Sequence, residues 1–96
     1  MKTINNTFSQ QDPSKEAGRW YVYLLQCRDQ KIYVGCTGDL KQRMEAHRKG
    51  IVHFTKTRLP ITLVSYTFFD DKYKAFNYER YLKSGSGRAF MKRHLL

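Results

Sequence analysis

The sequence predicts a small α+β domain, and three observations carry that expectation. An aromatic and β-branched run, RWYVYLLQC from Arg19, is followed almost at once by a second short one, KIYVG. A third such run, ITLVSYTFF, begins at Ile61. Helical periodicity with capping signals fills the stretch between the second and third runs and returns after the third. The expected order is strand, strand, helix, strand, helix and a short last helix.

The first two strands read as one hairpin, with Arg28, Asp29 and Gln30 as its connection. If Cys27 sits opposite Lys31, paired positions sum to 58, and side-chain alternation assigns the faces. Trp20, Val22, Leu24, Ile32 and Val34 form an apolar face, while Tyr21, Tyr23, Leu25, Tyr33 and Gly35 form the other. A slip of one residue would exchange the faces. Gly35 opposite Tyr23 is expected to leave an open notch.

Asp39 is the expected N-cap of the first helix, LKQRMEAHRK, and Gly50 its stop. HFTKTRLP reads as a basic loop. Asp70 or Asp71 caps KYKAFNYERYLKS, and Ser86 is expected to cap the last helix, with Phe90 turned inward and Lys92 and Arg93 outward. Residues 1–18, rich in Asn, Gln, Ser and Lys, read as a flexible tail, leaving residues 19–96 as the single domain.

Eighteen Lys and Arg against eight Asp and Glu give a net charge of +10, which attracts polyanions. Nucleic acid is the commonest such partner. Two cysteines, Cys27 and Cys36, are too few for a disulfide scaffold and lack the His spacing of a zinc site, so free thiols are expected. No apolar run reaches the length of a membrane span and the N-terminus lacks a signal-peptide core. The expectation is a soluble, cytoplasmic protein that does not engage membranes.

Two helices carry charge on their apolar stripes. Leu40, Arg43, Met44 and His47 share one arc of the first, and Ala75, Tyr78, Glu79 and Leu82 share one stripe of the second. A buried charge costs several kcal/mol unless it is paired or faces a wet cleft. Arg43 and Glu79 could simply pair with each other, His47 could be a satisfied core imidazole, and Tyr23 and Tyr33 could be sheet packing. Taken together, one carboxylate, one guanidinium, one imidazole and two phenols on a basic protein suit phosphodiester cleavage. A hard divalent cation binds carboxylate oxygen and keeps waters for a substrate phosphate to replace. A guanidinium stabilises the charge of the transition state. A phenol, whose ordinary pKa is about 10, needs a neighbouring cation to act as a base.

At these residues the sequence resembles the GIY-YIG nuclease family, in particular its small single-domain bacterial members, from Trp20 to the end. Tyr21-Val22-Tyr23 matches the first motif and Tyr33-Val34-Gly35 the second. Arg43 matches the family's arginine, His47 falls where members carry His or Tyr, and Glu79 matches the metal-binding glutamate. The resemblance implies a three-stranded antiparallel sheet flanked by about three helices. It also implies one-metal hydrolysis with Mg²⁺ or Mn²⁺ at Glu79, Tyr33 as general base, and Tyr23 bonded to the water or the phosphate. This sequence departs from the pattern at Tyr21, in place of the first glycine, and at Cys36, where many members have a Lys or another polar residue. It also has no asparagine beyond Glu79 in the C-terminal segment, where Ser84 or Ser86 could substitute structurally.

The expected function is therefore a metal-dependent DNA endonuclease of repair or recombination, with structure-directed cutting and RNA substrates both left open. A protein partner could supply specificity. The alternative is a nucleic-acid-binding module that has lost or slowed the chemistry. Expected phosphate contacts are Lys41, Arg48, Lys49, Lys56, Arg58 and Arg88.

Overall fold

The computed structural model describes residues 18–96; the expected tail, but for Gly18, lies outside the described residues. The elements are β1 (Trp20–Gln26), β2 (Ile32–Thr37), α1 (Leu40–Arg48), β3 (Thr62–Phe69), α2 (Lys72–Leu82) and α3 (Gly85–His94). β1 is the central strand of a three-stranded sheet of order β2-β1-β3, antiparallel to both neighbours.

The hairpin adopts the expected register, with Tyr23 opposite Gly35 and Leu25 opposite Tyr33. Its three-residue loop closes when the Cys27 amide donates to the Lys31 carbonyl at 2.9 Å, with Gln30 in the left-handed region at φ 72°. β3 pairs with β1 through Tyr23↔Tyr66 and Val22↔Thr67, and a bulge shifts the register between Leu24 and Leu25. The two faces bury different cores. Val22, Leu24 and Val34 pack with Ala75, Leu82 and Met91 of α2 and α3. Tyr23 and Leu25 pack with Met44 of α1. Helices on both faces hold the sheet as a thin layer between two small cores.

The caps explain where the helices stop and start. Asp39 accepts from the Gln42 amide at 3.0 Å. At the other end of α1 the Gly50 amide bonds the His47 carbonyl and the Ile51 amide the Ala46 carbonyl, both at 3.1 Å, with Gly50 at φ 77°. That paired closure needs a left-handed residue, which glycine supplies without steric cost. Asp71 caps α2 through the Tyr73 amide at 2.8 Å. The cap of α3 is Ser84, not Ser86: Ser84 has extended backbone and its hydroxyl accepts from the Gly87 amide at 3.1 Å. Ser86 lies within the first turn, where its own backbone is already helical.

Candidate active site

The site begins with Tyr23, which alternation on β1 points at α1. Its side chain is 0% exposed. The Arg43 Nε donates to its hydroxyl at 3.3 Å, and the same hydroxyl meets His47 Nε2 at 3.0 Å. Arg43 and His47 stand one turn apart on α1, so one helix face delivers both to one oxygen. His47 is itself 0% exposed, and its Nδ1 meets the hydroxyl of buried Thr55 at 2.8 Å. A neutral imidazole has one donor and one acceptor, so His47 links the loop residue Thr55 to the phenol of Tyr23.

Burial sets the protonation of this chain. It pushes the Tyr23 phenol up to about 12 against the opposing pull of the Arg43 hydrogen bond, so Tyr23 stays a neutral phenol. Burial also pushes His47 down to about 4, with the nearby Arg43 charge acting in the same direction. The Tyr23 hydrogen bond leads the contributions that hold Arg43 above its ordinary value.

Tyr33 completes the cluster from β2. Its ring meets His47 edge-on at 5.0 Å between centroids, Tyr23 at 6.1 Å and Phe54 at 5.6 Å. Tyr33 is half-buried where Tyr23 is sealed. This corrects the expectation that Tyr23 meets water or phosphate, since its hydroxyl is enclosed by protein. The expected open notch at Gly35 is corrected as well. A Cβ built on Gly35 would overlap Cζ and Oη of Tyr23, so the space left by the missing side chain is filled by the opposing ring.

Glu79 lies on the other face of the sheet. Its carboxylate pairs with Lys83 at 3.1 Å, and the mutual Arg43–Glu79 pair that the sequence left open does not form. Glu79 reaches β2 beside Cys36. Burial, and then the Glu79 charge, push that thiol up to about 11. β2 is an edge strand, so the two faces communicate around its open side. A groove of about 530 Å³ lies there, with Tyr33 and Phe54 from one side and Leu82, Lys83 and Arg88 from the other.

Among the described residues, no group of three or more His, Cys, Asp or Glu could hold a metal. A single partly open carboxylate nevertheless suits a hard cation that keeps waters and takes phosphate oxygens, whereas it does not suit zinc. Cys27 and Cys36 are free thiols, as expected.

Of the expected phosphate contacts, Lys41, Arg48, Lys49, Lys56 and Arg88 are exposed. Arg58 is committed elsewhere. Its Nε bonds Asp29 at 3.1 Å, its Nη1 donates to the Phe54 carbonyl at 2.7 Å, and its guanidinium lies 4.1 Å over the Phe54 ring. It fastens the loop after α1 to the hairpin turn. Thr55 and Phe54, which complete the cluster, were missed in the sequence. The available signal was His47 itself, since a buried imidazole needs a partner at each nitrogen.

The model of the GIY-YIG catalytic domain matches residues 19–93, so the chain belongs to this nuclease family. It is 41% identical over 64 residues to a UPF0213 protein of Clostridium perfringens, covering 66% of this chain and 69% of that one. A UPF0213 protein of Streptococcus pyogenes serotype M5 is 39% identical over 70 residues, covering 72% and 76%. Among solved structures, the solution NMR structure of a UPF0213 protein from Bacillus halodurans is similar with a TM-score of 0.52 and 33% identity. That match covers 78% of this chain and 81% of the other. No helix among the described residues is long and apolar enough to cross a membrane.

Proposed function

We propose that this domain is a divalent-metal-dependent endonuclease that hydrolyses phosphodiester bonds of DNA. One observation carries the reading: an accessible phenol, Tyr33, stands beside a guanidinium that a sealed phenol holds in place. Tyr33 is the phenol a water could reach, and as the phenolate, beside the Arg43 guanidinium, it takes the proton of the attacking water. Arg43 meets the phosphate and stabilises the charge that builds on its oxygens. Tyr23, His47 and Thr55 act behind it as positioning residues, fixing the Arg43 side chain through a chain of hydrogen bonds. Glu79 would hold Mg²⁺ or Mn²⁺, which when bound neutralises phosphate charge and steadies the leaving oxygen. Lys41, Lys49, Lys56 and Arg88 contact flanking phosphates.

The proposal extends to a role in repair or recombination, with a protein partner supplying specificity. The test is a panel of labelled duplex, flap, junction and single-stranded DNA with Mg²⁺ or Mn²⁺, alongside an RNA strand. Wild-type protein is expected to cleave at least one DNA substrate, and Glu79→Ala to cleave none while binding equally well. Binding that collapses with Glu79→Ala would make that residue structural instead.

One observation favours the second reading, binding without turnover: Lys83 already holds the carboxylate of Glu79. That reading predicts salt-sensitive binding and no cleavage by wild-type protein with either metal.

A further inference from the structure

α1 divides the sheet face it covers. Its Arg43 and His47 turn toward the phenols, while Leu40, Met44 and Arg48 turn toward β3. Between α1 and β3 lies a second groove, of about 440 Å³. Leu63 and Tyr66 form its β3 wall with Tyr21 of β1 beside them, and Phe68 follows Tyr66 on the same face of β3, outside the groove's lining. Tyr66 is 55% exposed and Phe68 36%, and both rings lean on Tyr21, at 5.9 Å and 5.6 Å between centroids. The opposite wall carries Lys41 and Arg48, and Arg19 closes the end, with its guanidinium 5.9 Å over the Tyr21 and Phe68 rings. Two acids stand near this wall: Asp39 is engaged in capping α1, and Glu45 reaches Arg48 at 3.9 Å in an exposed pair.

We infer that this groove is a second nucleic-acid site, which stacks unpaired bases of a single strand on Tyr66 and its neighbours while Lys41 and Arg48 follow the backbone. Two features select that ligand. A row of rings beside cations offers stacking and phosphate attraction together, the combination by which proteins hold single strands. Position is the second. Tyr66 is the direct register partner of Tyr23, so the platform lies one strand away from the sealed phenol that holds Arg43. Paired bases are stacked within a duplex and do not present their faces to Tyr66. The site deepens the proposed nuclease reading by naming its substrate class: a strand with unpaired nucleotides beside the cut.

The test measures binding alone, in EDTA, so that a failure of catalysis leaves it intact. Fluorescence anisotropy would compare a labelled oligodeoxythymidine, an oligouridine and a duplex of equal length at one salt concentration, for wild type, Tyr66→Ala, Tyr66→Leu and Tyr66→Phe. Tyr66→Ala and Tyr66→Leu are expected to weaken binding of a single strand about tenfold, with Tyr66→Phe close to wild type and duplex binding changed less than about twofold. The deoxy and ribo arms show which strand the site takes, and selective loss on either one supports the proposal. Equal losses on single strand and duplex, no loss at all, or Tyr66→Leu behaving like wild type would overturn it. Sedimentation of the same variants covers the remaining occupant. A wild-type dimer that Tyr66→Ala dissociates would assign the groove to a second copy of the chain and overturn the proposal.

Discussion

Tyr23 lies so close over Gly35 that the ring occupies the space a side chain would have taken on the neighbouring strand. The glycine of the second motif is therefore a seat for the tyrosine of the first. Gly35 is buried, and the ring above it is held on its other side by Arg43 and His47. A methyl group at position 35 must displace a ring that has nowhere to go. Gly35→Ala is expected to cost about 1–3 kcal/mol, as overpacking of a core does. The Tm should fall by several degrees, at about 4–8 °C per kcal/mol for a domain of this size. Cleavage should fall further than stability alone explains, because the displaced phenol no longer holds Arg43. A thermal melt indistinguishable from wild type would show that the ring has room to move.

The two phenols should separate by readout. Tyr33 is half-exposed, and its hydroxyl is assigned to the attacking water, so Tyr33→Phe is expected to leave the Tm nearly unchanged and to slow cleavage at least a hundredfold. Tyr23→Phe removes a hydroxyl that is 0% exposed and bonded to both Arg43 and His47. It should lower stability by about 1–3 kcal/mol, the usual cost of leaving buried polar groups unpaired, and slow cleavage as well. Paired melting curves and single-turnover rates test both. A large loss of stability in Tyr33→Phe, or none in Tyr23→Phe, would reverse the assignment.

Much of this arrangement was legible in the sequence, and the parts that were not share a cause. Strand alternation and one register assumption sorted Val22 and Leu24 from Tyr23 and Leu25, because a half-buried sheet has a period of two residues. Helical spacing placed Arg43 and His47 on one face for the same reason of fixed geometry. Thr55 could not be read because it approaches His47 through an irregular loop, where no period constrains which residue turns inward. Arg58 looked like any other surface cation, since its partners Asp29 and Phe54 come from separate loops. The cap falls on Ser84 and not on the expected Ser86 because the two share the same capping chemistry and differ only in backbone conformation, which spacing does not show. Glu79 is partly buried on α2, but the face of the sheet it serves depends on how α2 crosses, which spacing does not encode.

His47 should give the domain a pH-dependent stability. An imidazole in the unfolded chain titrates near its ordinary value of 6.5, whereas burial holds it at about 4 in the folded state. Between those values the unfolded chain binds a proton that the folded one refuses, so acid favours unfolding. The contribution is complete above about pH 6.5 and is lost as pH falls toward 4. The slope approaches about 1.4 kcal/mol per pH unit within that window. Urea denaturation of wild type at pH 7, 6, 5 and 4.5 should trace this loss. His47→Gln, which can still bond Tyr23 and Thr55 but does not titrate there, should be less stable at pH 7 and flatter below it. An unchanged slope in that variant would move the effect to other groups.

Cys36 offers a readout of Glu79 that does not depend on catalysis. Its thiol is raised to about 11 by burial and then by the Glu79 carboxylate, with Lys83 opposing. Removing the carboxylate should lower that value, enlarge the thiolate fraction at a fixed pH and speed alkylation, because the thiolate is the reactive form. Glu79→Ala is therefore expected to label faster at Cys36 than wild type at pH 8.5, with Cys27, which is buried and near Asp29 and Arg58, little changed. Mass spectrometry of the alkylated peptides distinguishes the two sites. A cation at Glu79 should act in the same direction, so Mn²⁺ should accelerate labelling of Cys36 in wild type and leave Glu79→Ala unaffected. Lys83→Met removes a charge that lowers the thiol value, and should slow labelling of Cys36 without metal. It should also strengthen the response to Mn²⁺, because the carboxylate then has no competing partner. A Mn²⁺ response that persists in Glu79→Ala would place the metal away from that carboxylate and remove it from the proposed mechanism.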